Sequence, residues 1–198
     1  MTFQQAMGLL SVALTIASFA PYVIQIRSGT MKPHVFSWVI WSISTAVVFF
    51  AQVVADGGAG AWPTGVSAAM TVYVTWLAWS LRRDITITRS DWLFLWTALA
   101  SLPLWYFTAD PLWAVVILTT IDVLGFGPTL RKLYDFPYEE SLLFYVVFVV
   151  RSGLSILALE SLSLTTLLFP VAMVLSCILV CLLLIWRRQV IPKDGGAA

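Results

Sequence analysis

Ionisable side chains are scarce in this chain. Of its 198 residues, 11% are Asp, Glu, Lys or Arg, one is histidine and two are cysteine. A soluble domain carries roughly 25% charged residues, so a water-facing surface of this length is excluded, and a soluble enzyme with it. The same composition excludes a nucleic-acid binder, which would need a basic surface; the formal net charge of +1 says nothing about partners. The single histidine, His34, stands at the expected mouth of a helix, so an intramembrane serine hydrolase would lack a base at depth. Cys177 and Cys181 are one helical turn apart on the same face. A disulfide there is implausible, and a two-thiolate metal site has no further ligands. Phosphate loops, zinc signatures and nucleophile elbows are absent. The expectation is therefore no enzyme, no metal and no nucleotide cofactor.

What the chain has instead is apolar length. Hydrophobic residues make up 60% of it, and mean hydropathy is +0.92. A helix needs about 20 apolar residues to cross roughly 30 Å of hydrocarbon. Seven runs approach that length: Ala6–Ile26, Val35–Ala55, Trp62–Leu81, Trp92–Thr108, Leu112–Leu130, Leu142–Leu159 and Leu164–Trp186. They predict an all-α integral membrane protein with seven transmembrane helices, and short loops that make sequence neighbours antiparallel. Nothing basic precedes the first run, which reads as a retained helix rather than a signal peptide. Asp91, Pro111 and Pro137 mark the starts of the fourth, fifth and sixth runs. Trp62, Trp79, Trp92, Trp113 and Trp186 stand at run ends, where rings form an interfacial belt. Gly57–Gly60 reads as a flexible turn.

The few charges set an orientation. Arg27, Lys32, Arg82, Arg83, Arg89, Arg131, Lys132, Arg187, Arg188 and Lys193 all fall on one side of a seven-span arrangement, and Asp56, Asp110 and Glu160 on the other. Basic loops stay in the cytoplasm, so the N-terminus is expected outside and the C-terminus inside, in a bacterial inner membrane.

The chain also overlays on itself. Laid without a gap so that Pro21 meets Pro128, it brings Pro63 onto Pro170, Trp79 onto Trp186 and Phe19 onto Phe126. Identity is no better than an apolar chain gives by chance; the shared punctuation and helix ends carry the repeat. Residues 1–81 form a first three-helix unit, 82–110 a linker helix, 111–188 a second unit and 189–198 a cytoplasmic tail. An odd linker restores the original direction, so the two units are parallel repeats, one known transporter plan. A 3+1+3 chain could form a pathway alone, and the sequence leaves the oligomeric state open.

Two segments carry a family resemblance. SFAPYVIQIRSGTMKPHVFSWVIWSIS is similar to the first loop region of the PQ-loop superfamily, and DVLGFGPTLRKLYDFPYEESL to the second. Both motif prolines are kept, as Pro21 and Pro128, while Tyr22 and Thr129 stand where the motif has glutamine. The superfamily includes the SWEET sugar transporters and their half-size bacterial relatives, cystinosin-like amino-acid exporters and the endoplasmic-reticulum retention-signal receptor; nicotinamide riboside carriers have a related architecture. The resemblance implies the 3+1+3 helix arrangement over nearly the whole chain. It also implies prolines that act as hinges, and in cystinosin-like members a proton-handling aspartate near the second proline. Asp122 lies shortly before Pro128. Read from the residues alone, Pro21 and Pro128 each remove a backbone hydrogen bond and kink a helix, either statically or as a hinge.

Depth singles out the candidate site. Asp122 and Arg151 are the residues of the Asp/Glu/Lys/Arg class deep in apolar runs, each about 15 Å from a run end at 1.5 Å per residue. A charge at that depth costs roughly 2.5–3.5 kcal/mol on insertion scales, so both face the bundle interior. There they either pair structurally or line a cavity, where Arg151 holds an anionic group or Asp122 exchanges a proton. Trp41, Ser44, Tyr73, Tyr145 and Cys177 lie at similar depth and complete the candidate set, with Thr45, Met70 and Ser176 beside them. The first unit has Thr15 and Ser44 in the places of Asp122 and Arg151. The expected function is secondary transport of a small polar metabolite, a sugar, amino acid or vitamin, by alternating access and with protons as a candidate coupling ion. The competing reading is a non-transporting membrane receptor or assembly factor on the same fold.

Overall fold

The computed structural model describes residues 1–29, 35–81, 89–135, 137–138 and 142–191. Lys32, His34, Arg82, Arg83 and Lys193 lie outside the described residues, as do the side chains of Asp91, Pro128, Thr129, Arg131 and Lys132. The described chain forms seven α-helices and one short 3-10 turn, with no strand among the described residues. The helices are α1 (Phe3–Arg27), α2 (Val35–Val54), α3 (Trp62–Ser80), α4 (Arg89–Thr108), α5 (Pro111–Asp135), α6 (Leu142–Leu157) and α7 (Leu164–Val190). Each apolar run of the sequence becomes a helix, because in a chain this poor in turn residues the backbone groups are satisfied locally.

Local signals set several helix starts. Thr2 caps α1 and Ser163 caps α7, each in a reciprocal capping box that meets two otherwise orphaned N–H groups. Pro111 opens α5 as expected. Asp110 completes that entry, its carboxylate accepting from the Leu112 N–H at 2.9 Å. α4 begins at Arg89, about one turn before the expected Trp92.

The bundle exposes large apolar side chains and buries several polar ones alongside its apolar core. Ser11, Thr15, Ser44, Gln52, Thr64, Ser67, Thr71, Asp122 and Arg151 are buried, while Leu175, Ile178, Leu179, Leu182 and Ile185 of α7 are exposed. Such an apolar exterior suits helices surrounded by hydrocarbon, with the buried polar groups turned away from it. By length and composition, α1, α7 and the Ser37–Val54 part of α2 are long and apolar enough to cross a membrane, and Pro111–Phe126 and Leu142–Leu157 are shorter apolar stretches. Among the described residues three such helices are fewer than the seven spans expected. For two of the others the cause is visible: α6 has only 16 residues, and α3 carries Thr64, Ser67, Thr71 and Thr75 on its length. The five tryptophans expected in a belt are all exposed, and each stands near a helix end.

α3 packs between α1 and α2, and α7 packs between α5 and α6. The two triplets meet where α1 lies on α6 and α2 on α5, while α4 rests on α5 and α2. The largest apolar cluster fills the α2–α5 seam around Val48, Val115 and Leu118.

One end of the bundle is tightly closed. The 3-10 turn Gly58–Ala61 was expected as a flexible loop; instead Ala59, Gly60 and Ala61 are buried in it. It sits against α1, α2, α3 and α6. Ser155 of α6 donates to the Gly60 carbonyl at 2.8 Å, and the Glu160 N–H donates to the Gly57 carbonyl at 3.3 Å. Glycine is required for this approach. A Cβ on Gly8 would stand 2.7 Å from the Ala59 carbonyl oxygen, and one on Gly60 2.7 Å from Leu159 Cα. At the opposite end, Arg187 and Arg188 of α7 donate to the carbonyls of Tyr134 and Pro137.

Candidate functional site

A cavity of about 400 Å³ lies at the centre of the bundle. Small-molecule sites typically occupy roughly 300–1,000 Å³. Six helices wall the cavity and α4 does not. α1 supplies Ser18, Phe19 and Tyr22; α2 supplies Trp38, Trp41 and Thr45; α3 supplies Ser67 and Thr71. From the other triplet come Asp122, Gly125 and Phe126 of α5, Phe144, Tyr145, Phe148 and Arg151 of α6, and Phe169, Met173 and Cys177 of α7.

Of the seven residues proposed from depth, Asp122, Arg151, Trp41, Tyr145 and Cys177 meet on this wall. Ser44 and Tyr73 do not. Depth along a helix does not fix the direction a side chain takes around it. At 100° per residue, Tyr73 points about 140° away from the α3 face that carries Ser67 and Thr71. Its hydroxyl accepts a hydrogen bond from the Arg27 guanidinium, and its ring stacks on Trp76 with centroids 5.9 Å apart. Ser44 lies roughly a quarter turn from the cavity face of α2; it is fully buried, and its hydroxyl has no hydrogen-bond partner. Thr45 does line the cavity, whereas Met70 and Ser176 do not.

Arg151 is 5% exposed and Asp122 8% exposed. Among the described residues no ion pair joins them. The Arg151 guanidinium turns instead to the first triplet: Nη1 donates to Thr15 Oγ1 of α1 at 2.6 Å and to Ser67 Oγ of α3 at 2.9 Å. Ser11 Oγ donates to the Arg151 carbonyl at 2.7 Å, and Thr15 is itself fully buried. The guanidinium carbon lies 4.2 Å from the centroid of the Phe148 ring, a cation–π contact along α6. The structural ion pair considered from the sequence is thus replaced by two neutral hydroxyl acceptors. Arg151 Nε and Asp122 Oδ1 have no hydrogen-bond partner.

The rest of the wall is aromatic. Trp38 lies 5.2 Å from Tyr22 and meets Trp41 edge-on at 5.2 Å, with Phe19 edge-on at 6.4 Å. Most of these rings were not singled out from the sequence. A signal was available on α6, where Phe144 and Phe148 share a helical face with Arg151 at spacings of seven and three. No such signal marks Ser67, whose role depends on α3 lying beside α6's long side chain.

α1 runs through Pro21 without a break. The proline follows the lining residues Ser18 and Phe19 and precedes Tyr22, so the weakened turn lies on the cavity wall. Among the described residues no cluster of His, Cys, Asp and Glu has the make-up of a metal site. No protein-family model matches the chain, and no curated protein and no solved structure matches it.

Proposed function

We propose that the chain is a secondary transporter that binds a small polar metabolite in the central cavity and exposes it to each side of a membrane in turn. One observation carries the reading. One cavity is shared by α1–α3 and α5–α7, is lined by an aspartate and an arginine that do not neutralise each other, and lies beneath one closed end.

The helix pairing supports a 3+1+3 plan with seven spans. Exchanging α1, α2 and α3 for α5, α6 and α7 leaves the main packing pattern unchanged: each third helix lies between its partners, and α1 on α6 mirrors α5 on α2. A two-fold axis along the membrane normal produces such a pattern. In the sequence overlay Thr15 takes the place of Asp122, and Arg151 bonds Thr15 across the α1–α6 contact. The mirrored contact would bring Ser44 toward Asp122, and each of those side chains has an oxygen without a partner. This is the arrangement expected if one repeat has specialised. With the cytoplasmic side at the Arg27, Arg187 and Arg188 end, the closed Gly58 end faces outward, as in a bacterial inner-membrane protein read by its basic loops. Pro21 and Pro128 then serve as hinges within the PQ-loop-like frame, and Asp122 is the group that takes up and releases a proton.

Reconstitution in liposomes tests this. Uptake from a panel of radiolabelled sugars, amino acids and vitamins should include one substrate driven by a pH gradient. Asp122→Asn, which keeps size and shape, should abolish the gradient dependence without loss of folding. Full gradient-driven uptake by that variant would sink the proton-coupling assignment. A receptor on the same fold would bind its ligand in the cavity and show no flux.

A further inference from the structure

The serine and threonine hydroxyls on the cavity wall are already engaged. Ser18 Oγ donates to the Thr15 carbonyl at 2.8 Å, Thr45 Oγ1 to the Trp41 carbonyl at 2.7 Å, and Thr71 Oγ1 to the Ala68 carbonyl at 2.9 Å. Ser67 Oγ accepts from Arg151. A hydroxyl has one proton to give, so Ser18, Thr45 and Thr71 have none left for a ligand. A polyol entering here would find few hydroxyl donors, and it carries no charge to meet the two ionisable groups of the wall.

Two groups on the wall retain unmet capacity. The Nε–H of Arg151 is a donor without an acceptor, and Oδ1 of Asp122 is an acceptor without a donor. Both residues are more than nine-tenths buried and line the same cavity. Neither is neutralised by the other, and a buried charge without a counter-charge is costly. An occupant that supplies one group of each sign relieves both at once. The aromatic wall fits a flat apolar body beside them, since ring pairs gain beyond simple area burial.

We infer that the cavity selects a small zwitterion with a flat apolar body, an α-amino acid with an aromatic side chain being the simplest case. Its carboxylate meets the Arg151 guanidinium, its ammonium meets the Asp122 carboxylate, and its ring lies among the indoles and phenyl rings of the wall. The inference narrows the substrate class of the transporter reading and rests on that reading for its role, although binding is measured separately from flux.

The test uses the purified full chain in lipid nanodiscs and isothermal titration calorimetry. Probes are L-phenylalanine, L-tryptophan, 3-phenylpropanoate, 2-phenylethylamine and D-glucose. At least one of the two amino acids should saturate a single site. The analogue lacking the ammonium and the analogue lacking the carboxylate should each bind roughly 10- to 100-fold more weakly, the loss expected for one charge-assisted hydrogen bond. Glucose should not compete. In Asp122→Asn, amino-acid affinity should fall to that of 3-phenylpropanoate while 3-phenylpropanoate itself binds as before, a pattern that misfolding does not produce. Failure of both amino acids to bind, equal affinity for all the aromatic probes, or saturation by glucose would overturn the inference. Counterflow in liposomes separates the two claims. The charge signature without counterflow sinks transport and keeps the site; sugar counterflow without amino-acid binding sinks the zwitterion and keeps transport.

Discussion

Replacing Gly60 by alanine should force the two helix triplets apart at the closed end of the bundle. A Cβ at position 60 would stand 2.5 Å from Leu159 Cδ2 and 2.7 Å from Leu159 Cα. The leucine tip can rotate away, but Cα is backbone, so either the 3-10 turn or the end of α6 has to move. The turn has little freedom to retreat, because Ala59 and Ala61 are buried beneath it and Ser155 holds the Gly60 carbonyl. Overpacking of this kind typically costs about 1–3 kcal/mol. The strain exists only while the turn and Leu159 touch, and a conformation with this end apart is free of it. The whole cost therefore appears as a population shift of roughly 5- to 150-fold toward the open end. Cys177 reports the change, since it lines the cavity and is 1% exposed. In a Cys181→Ser background, reconstituted with one orientation, a membrane-impermeant maleimide is added from the Gly58 side. Labelling of Cys177 should accelerate by that factor. Gly153→Ala is the control, because a Cβ there meets nothing within 4 Å. The reasoning fails if folded Gly60→Ala protein labels no faster than the parent, or if Gly153→Ala accelerates labelling equally.

Thr15→Val and Ser67→Ala each remove one acceptor from the buried Arg151 guanidinium, and each should destabilise the fold by about 1.5–3 kcal/mol, the range for hydrogen bonds to charged groups. The double variant should lose more than the sum, because Nη1 is then left with neither of its two hydroxyl acceptors. Reversible unfolding in mixed micelles measures both effects, and single losses below about 0.5 kcal/mol would show that the clamp between triplets is energetically idle. Pro21→Ala returns an N–H to α1 opposite the Ala17 carbonyl and should slow exchange between conformations open to either side, as followed by single-molecule distance measurements across the bundle; an unchanged rate would mean a static kink.

The helices of this protein were legible because their causes are local. Val35, Trp62, Leu142 and Leu164 begin helices where the apolar runs begin, since run length, entry residues and the need to satisfy backbone groups all act within one segment. The burial of Asp122 and Arg151 was legible for the same reason: no apolar run can present a charge to hydrocarbon cheaply, so each had to turn inward. Their separation was not legible. Arg151 finds Thr15 and Ser67, 136 and 84 residues away in the chain, and nothing around position 151 names those partners. Ser44 and Tyr73 show the same limit from the other side. Their depth was readable, but whether a residue at that depth meets a cavity depends on how its helix is rotated. Gly57–Gly60 shows it again, because glycine serves equally a loose turn and the closest approach of two backbones. Which segments are helical, how apolar they are and which two charges turn inward follow from the order of residues alone. Which faces meet follows from the assembled bundle, because each helix's rotation is set by packing against all its neighbours together, and that sum appears in no single segment.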